Sequence, residues 1–416
     1  MKRAASMLLP LCRLGLACCL LLGLPAQARQ PLELFGRVSD ADTGEPLPYA
    51  MLRIEHTSLG TISNDSGTFL LRYDPALGHE TLVVSMVGYQ SWLGALPAFQ
   101  LAGPAEVFLK PQPIELREVE VVGRALSAQE IMEEALARLP DNYPSEPFLL
   151  HAFFRDVKLE EGQCVFLMEA ATRIYDRNYH RAPRVQRDLL ERVAIDEIRS
   201  THHYGSNRAW IRALRRENAI KELLAENAVR YQSGVFDLER GFRYRKEAPV
   251  QLDSQLLFVV SVEDFPDTRI YIDAQTFGVL RVEHRSAKPI LLSSGREAER
   301  WATAFELQFE FQRIGGKLYL KYMASRAVYE ERRPRTGERL HHSELRLSML
   351  VNQVETEPAS PPPGRLAMNK HRHLEAQLKS YNEAFWARYN VIRENPLDSA
   401  LLRDLREKAP EPFLKP

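Results

Sequence analysis

GRVSDADTGEPLPYAMLRIEHTSLGTISNDSGTFLL, from Gly36 to Leu71, alternates apolar and polar residues and is broken at short intervals by Asp, Asn, Thr and Gly. Period-two alternation marks strands with one buried face. The same pattern defines strand segments at Leu34 to Val38, Ala50 to Glu55, Thr68 to Tyr73, Thr81 to Met86 and Ala105 to Leu109. Between them, Asp42-Thr43-Gly44 and Asp65-Ser66-Gly67 place Gly where a turn needs positive φ, and Asp and Asn bond downstream amides. Pro46 and Pro48 punctuate the approach to the second strand. Short strands at regular spacing predict a β-sandwich over residues 31–111. Nothing in the stretch has the look of catalysis.

The order of these residues carries a specific resemblance. Gly36-Arg37-Val38, Asp42 through Leu47, Ala50, Gly60-Thr61, Asp65 through Phe69 and Ser85 through Tyr89 resemble the carboxypeptidase regulatory-like domain. The resemblance implies a transthyretin-like Greek-key sandwich, an accessory module without catalytic residues, in a family common in exported proteins of Bacteroidetes-type bacteria.

The N-terminus agrees with export. Lys2 and Arg3 precede an apolar run, Leu14 to Leu24, and Ala26-Gln27-Ala28 has the small-x-small form of a cleavage site. Residues 1–28 therefore read as a signal peptide, the run being short for a bilayer about 30 Å thick. Three of the four cysteines fall within it, which leaves Cys164 and no internal disulfide. Cys164 sits in the apolar run QCVFLME and reads as a small buried hydrophobe. Removing the three basic residues of that segment leaves 52 basic against 55 acidic, a balance that advertises neither nucleic acid nor an anionic membrane as a general partner.

Residues 112–146 read as a linker and a helix. Val119, Val121 and Val122 alternate as an edge strand would, and Ser127 with Glu130 three residues on forms a capping-box pattern. Ile131, Ala135 and Leu139 share one helix face. Residues 147–355 then carry long alternating runs from Pro147, Cys164, Leu256, Thr268, Ala302 and Leu340, with hairpin turns at Gly315-Gly316 and Pro334 to Gly337. A helix is expected over Asn207 to Tyr231, anchored by Trp210, Ile211, Leu214, Leu223 and Leu224. The predicted fold class is mainly β. The Greek-key sandwich precedes a larger antiparallel, half-barrel-like α+β domain with a packed helix. A Pro-rich linker at 356–370 leads to a C-terminal helix and tail at 371–416, with Leu374, Leu378, Tyr381, Phe385 and Tyr389 on one helix face from His371 to Asn390.

The second part has resemblances of its own. Phe153 to Asp156, Glu169-Ala170, Ile174-Tyr175, Ile270 to Asp273 and Arg281 to Glu283 are similar to exported Bacteroidetes proteins that carry the same sandwich. The phrase from Tyr271 to Val282 also resembles the half-barrel sheets of periplasmic lipoprotein carriers.

Catalytic chemistry finds little support in the residues. His341 and Glu344 form a His-x-x-Glu, with His371 or His373 as a third candidate zinc ligand, but opposite parity in a strand turns them to opposite faces. His202-His203 reads as surface loop, and Arg208, Arg212, Arg215 and Arg216 as a solvated helical face. No phosphate loop and no Gly-x-Ser-x-Gly elbow is present. No catalytic residue, cofactor or metal is expected. The reading is a non-enzymatic exported protein of the periplasm or outer membrane, with a peripheral membrane association. Its sandwich serves interaction or spacing, and its sheet domain binds an envelope protein or a ligand. The alternative is a carrier or sensor of lipid or other apolar ligands, whose half-barrel cleft would be lined by Phe305, Phe309, Phe311, Tyr319 and Tyr322. A zinc metallopeptidase is the outsider.

Overall fold

A computed structural model describes residues 30–99, 103–112, 126–179, 189–201, 218–252, 255–357, 359–377 and 382–393. The signal segment 1–28, the linker valines, His202-His203, Trp210 to Leu214 and the four helix arginines lie outside them.

The first unit is a sandwich of two four-stranded sheets. One contains β1 (Leu32–Asp40), β4 (Thr68–Tyr73), β6 (Tyr89–Gln90) and β8 (Ala105–Pro111) in the order β4-β1-β8-β6. The other contains β2 (Met51–Ile54), β3 (Gly60–Ile62), β5 (Thr81–Ser85) and β7 (Trp92–Ala95) in the order β3-β2-β5-β7. Alternate residues meet between the sheets, among them Leu34, Val38, Leu52, Ile54, Phe69 and Val84, all buried. Three strands escape the alternation pattern, β3, β6 and β7, because they run only two to four residues. The turns follow the expected chemistry, with the bonding side chain two positions earlier in the first and one earlier in the second. Asp40 accepts from the amides of Asp42 and Thr43, and Asn64 from those of Ser66 and Thr68, while Gly44 and Gly67 take positive φ.

The helix Ala128–Ala137 follows, with both halves of the capping box formed between Ser127 and Glu130. Ile131 and Ala135 are buried against the second unit, as is Leu139 just beyond the helix. That unit is one twelve-stranded antiparallel sheet. Its strands are β9 (Phe148–Glu160), β10 (Gln163–Asp176), β11 (Arg192–Ser200), β12 (Tyr244–Lys246), β13 (Val250–Leu252), β14 (Gln255–Val262), β15 (Phe265–Asp273) and β16 (Val279–Ser286). It continues through β17 (Ile290–Ser294), β18 (Glu299–Ile314), β19 (Lys317–Arg332) and β20 (Arg339–Glu355). The main path runs β11-β10-β9-β20-β19-β18-β16-β15-β14-β12, with β13 beside β14 and β17 beside β18. The Gly315-Gly316 turn joins β18 to β19 with both residues at positive φ, the two-residue turn whose twist matches the strands. The protein is mainly β, as its alternation predicts.

One face of this sheet is apolar. Phe154, Met349, Met323, Phe309 and Val282 are buried on it beneath the capped helix and residues 218–231. The long helix expected over Asn207 to Tyr231 is, in its described part, two short helices, Ala219–Ala225 and Ala228–Tyr231. Asn218 and Asn227 explain the break, since each turns its side chain onto an amide three residues on and starts its own helix. The C-terminal helix is likewise not continuous. Only a 3-10 turn at Leu374–Gln377 and one helical turn at Glu383–Trp386 form among the described residues, the latter opened by Asn382. Leu378 and Tyr381 lie outside them. Cys164 is half-buried rather than buried, because it stands beside the β9–β10 turn where the register slips.

Candidate functional site

The opposite face of the large sheet is polar, and cross-strand register arranges it in rows. In one row Arg199, Glu169, Arg155, Ser348, Ala324, Gln308, Glu283 and Arg269 stand opposite one another on consecutive strands from β11 to β15. A neighbouring row runs Val157, Arg346, Arg326, Glu306, Arg285. On the other side, Phe153, Leu350 and Tyr322 continue into Glu310 and Arg281. Charged residues therefore flank a centre of small ones, Ser348 and Ala324.

The sandwich settles on the apolar part of this face. Ile62 of β3 joins Phe153, Ala171, Tyr322 and Leu350 in a buried cluster of its own. Tyr49 stacks on Tyr322 with ring centroids 5.8 Å apart. The segment Asn382–Arg393 ties the two units together. Trp386 is buried beneath Arg199, whose guanidinium lies 4.3 Å from its ring. The Asn390 side-chain amide accepts from Arg72 N at 2.6 Å and donates to Arg72 O at 2.8 Å, so it acts as a strand partner on the free edge of β4. On the sheet side Arg155 donates to Ile392 O and Asn352 to Asn390 O.

Where the small residues lie, the sandwich and the sheet leave a cleft of about 400 Å³. Tyr49 and Asp65 border it from the sandwich, Arg155, Glu306, Arg326 and Arg346 from the sheet, and Arg393 from the C-terminal segment. Most of its charges on the sheet side are fixed by pairing. Glu344 takes Arg326 in a bidentate pair, at 2.7 and 3.0 Å, and also accepts from Arg346. Arg326 reaches Glu306 as well, at 3.0 Å. Burial works against the Glu344 carboxylate, but the two arginines outweigh it and hold its pKa below the ordinary value. Glu169, wholly buried, is held low in the same way by Arg155 and Arg199. The arrangement can offer several oriented hydrogen-bond donors and acceptors at nearly balanced charge.

A second polar cluster lies beside the helical layer. Arg230 pairs with Asp176 at 2.6 and 2.9 Å, and burial together with the Asp176 charge pushes Glu191 up to about 7. One further buried group is a lysine with no carboxylate beside it among the described residues. Lys321, extra at a β-bulge of β19, donates to Val351 O at 2.8 Å, and burial pulls its amine down to about 7.

The five aromatic residues expected to line an apolar cleft do not share one. Phe309, Phe311 and Tyr319 are packed in the core under the helices, Phe311 against Tyr143 and Tyr319 against Phe148. Tyr322 belongs to the cluster beneath the sandwich and borders the polar cleft. Phe305 alone of the five lines a small pocket on the apolar side, about 50 Å³, with Ala327, Leu345 and Leu347 and with the charged Asp156, Lys158 and Glu222 at its wall. Alternation explains the core positions, and Tyr319 and Tyr322, three apart on β19, differ in parity. The zinc grouping is also dispersed. Glu344 is committed to two arginines and His341 faces Glu331 at 4.0 Å. Among the described residues no three His, Cys, Asp or Glu side chains form a group able to hold a metal ion. Sequence reading missed the cleft itself and the C-terminal strap. Its signal was polar residues at alternate positions, Glu306, Gln308 and Glu310 on β18 and Glu344, Arg346 and Ser348 on β20, with Arg326 on β19 between them.

Comparison with known proteins gives one firm match. The profile of the CarboxypepD_reg-like domain matches residues 34–121. No curated protein matches the chain. Among solved structures, an outer membrane lipoprotein-sorting protein domain from Vibrio parahaemolyticus is similar at 12% identity and a TM-score of 0.27, over 56% of this chain and 95% of that one. A LolA superfamily protein from Nitrosomonas europaea is similar at 11% identity and a TM-score of 0.20, over 55% and 94%. A membrane-associated protein of unknown function from Bacteroides fragilis is similar at 10% identity and a TM-score of 0.16, over 78% and 99%. At scores this low nothing about the chain's activity follows from them. No helix among the described residues is long and apolar enough to cross a membrane. The sandwich at the head of this chain is a carboxypeptidase regulatory-like domain, and it sits on the charged face of a large antiparallel sheet.

Proposed function

We propose that the protein is a non-catalytic binding component of the cell envelope, and that a small polar ligand or a segment of a partner protein occupies the cleft between sandwich and sheet. The observation that carries this reading is the cleft itself. At about 400 Å³ it has the size of a small-molecule site, and it lies at a domain junction. Arg155, Arg326 and Arg346 are paired with carboxylates before any ligand arrives, while Arg285 and Arg393 line the cleft with no carboxylate partner among the described residues, so the cleft suits a polar ligand that carries an acidic group as well as neutral ones. The export reading of residues 1–28 supports the envelope location.

A carrier of apolar ligands is the second reading. Its specific support is the pocket beside Phe305, which the helix Ala219–Ala225 would have to vacate in part to admit an acyl chain.

The native mass of the purified full chain, compared with its denatured mass, tests both. The expected result is an excess mass that disappears on denaturation and in Ser348→Trp, which fills the cleft floor. An excess retained by Ser348→Trp but lost in Ala327→Trp would replace the cleft with the apolar pocket. Equal native and denatured masses, with no melting shift across a panel of polar small molecules and peptides, would sink the small-ligand form.

A further inference from the structure

Strand β17 presents Ile290, Leu291 and Leu292 at 59%, 45% and 51% exposure, three consecutive large aliphatic side chains in water. Ile290 stands opposite Ala302 and Leu291 opposite Trp301, so neighbouring side chains project from opposite faces of the sheet. A protein layer lying on one face would cover one of them and leave the other wet. Only surroundings that are apolar on both sides would shelter the whole group.

The backbone of β17 is poorly suited to adding another strand. Pro289, which lacks an N–H, stands at its start, and the register slips between Leu291 and Ser293. Both features blunt an edge against strand addition. The charges around the tip point elsewhere. Residue Glu299 of β18 faces Arg332 of β19, which brings the β17–β18 and β19–β20 turns to the same end of the sheet. Residues 285–300 and 330–339 hold eight basic and five acidic side chains, a local excess of three positive charges in a chain with 55 of each sign. An aliphatic tip ringed by net positive charge matches an anionic lipid surface.

We propose that β17 and its two flanking turns form a membrane-contact element that seats shallowly in the headgroup region of an anionic bilayer. Shallow seating suits the open edge of β17, whose amides can then keep water or headgroup partners instead of facing hydrocarbon. The inference is independent of the cleft.

Sedimentation of the full chain with phosphatidylethanolamine–phosphatidylglycerol vesicles tests it. The wild type should bind these more tightly than phosphatidylcholine vesicles, and less tightly as salt is raised. Ile290→Ser/Leu291→Ser/Leu292→Ser should weaken binding at least about tenfold with no drop in melting temperature, because the side chains removed were in water. A readout that leaves the tip intact is the blue shift of Trp fluorescence on adding vesicles, which should shrink in Trp301→Phe. Failure of the wild type to bind, or equal binding by the triple variant, overturns the proposal. So does a wild-type dimer that the same three substitutions dissolve, since β17 would then be a contact between copies.

Discussion

The two faces of the large sheet are built from the same strands and treat their neighbours in opposite ways. One buries Phe154, Met323, Phe309 and Met349 under the chain's own helices. The other sets Arg and Glu in rows and receives the sandwich chiefly where Phe153, Leu350 and Tyr322 interrupt them, with Ser58 bonded to the Val354 backbone and Gly88 to Gln251 at its margins. The first face is held by apolar area, which is indifferent to fine geometry. The second is held by a small apolar patch, a strap and paired charges, which fix orientation more than they add stability. Stability and placement are thus assigned to different sides of one sheet.

The sharpest way to break that division is to damage the apolar face. Phe309 is fully buried among Phe311, Met323 and Val282, and Phe309→Ala should cost about 3–5 kcal/mol through lost transfer energy and the cavity left behind. Urea unfolding followed by circular dichroism would read this as a lower midpoint at unchanged slope. A loss under about 1 kcal/mol would mean that this face is not the main source of stability.

Between the faces in expected effect stands Lys321, a cation buried beneath the sandwich side with a carbonyl for company. Its folded value, about 7, lies below the ordinary 10.5. Between those values the unfolded chain holds a proton that the folded chain lacks, so wild-type stability should rise with pH across that window. Below about 7 both states are protonated and the full cost of burying the charge remains. Lys321→Met should therefore stabilise the protein by about 1–3 kcal/mol at pH 6, and its advantage should shrink as pH climbs toward 10. Melting temperatures of the two chains across that range would show it. A pH-independent difference would mean that the amine is not the titrating group.

Most of the fold is legible in the sequence, and the reasons are local. The capping box at Ser127, the paired glycines at 315 and 316, and the alternation of β9, β10 and β18 to β20 each act within a few residues. What escaped depends on register between distant strands. That Ser348 and Ala324 fall side by side in the middle of an arginine and glutamate row is fixed by pairings across β9, β20, β19 and β18. The aromatic positions of 305 to 322 were visible, and the odd spacing of Tyr319 and Tyr322 already gives them opposite parity, but the bulge that buries Lys321 between them is a one-residue slip that alternation does not announce. The two asparagines that split the middle helix were equally plain as letters, but their capping role shows only once the chain turns at them.

The smallest expected effect isolates the strap that keeps the two units in register. Asn390 makes two hydrogen bonds to the backbone of Arg72, and its own carbonyl accepts from Asn352 on β20, so one residue spans sandwich and sheet. Asn390→Ala removes the two side-chain bonds and leaves the Arg72 amide facing the gap, which should weaken local docking of the strap by about 1–2 kcal/mol. The apolar core under the helices is untouched by this change, so the global unfolding midpoint should move little. The local signature should be larger. Amide exchange at Arg72 should accelerate while exchange at Phe309 and Met323 stays slow. Faster exchange at both places would mean that the strap supports the whole molecule, and the division between a stabilising face and a positioning face would have to be given up.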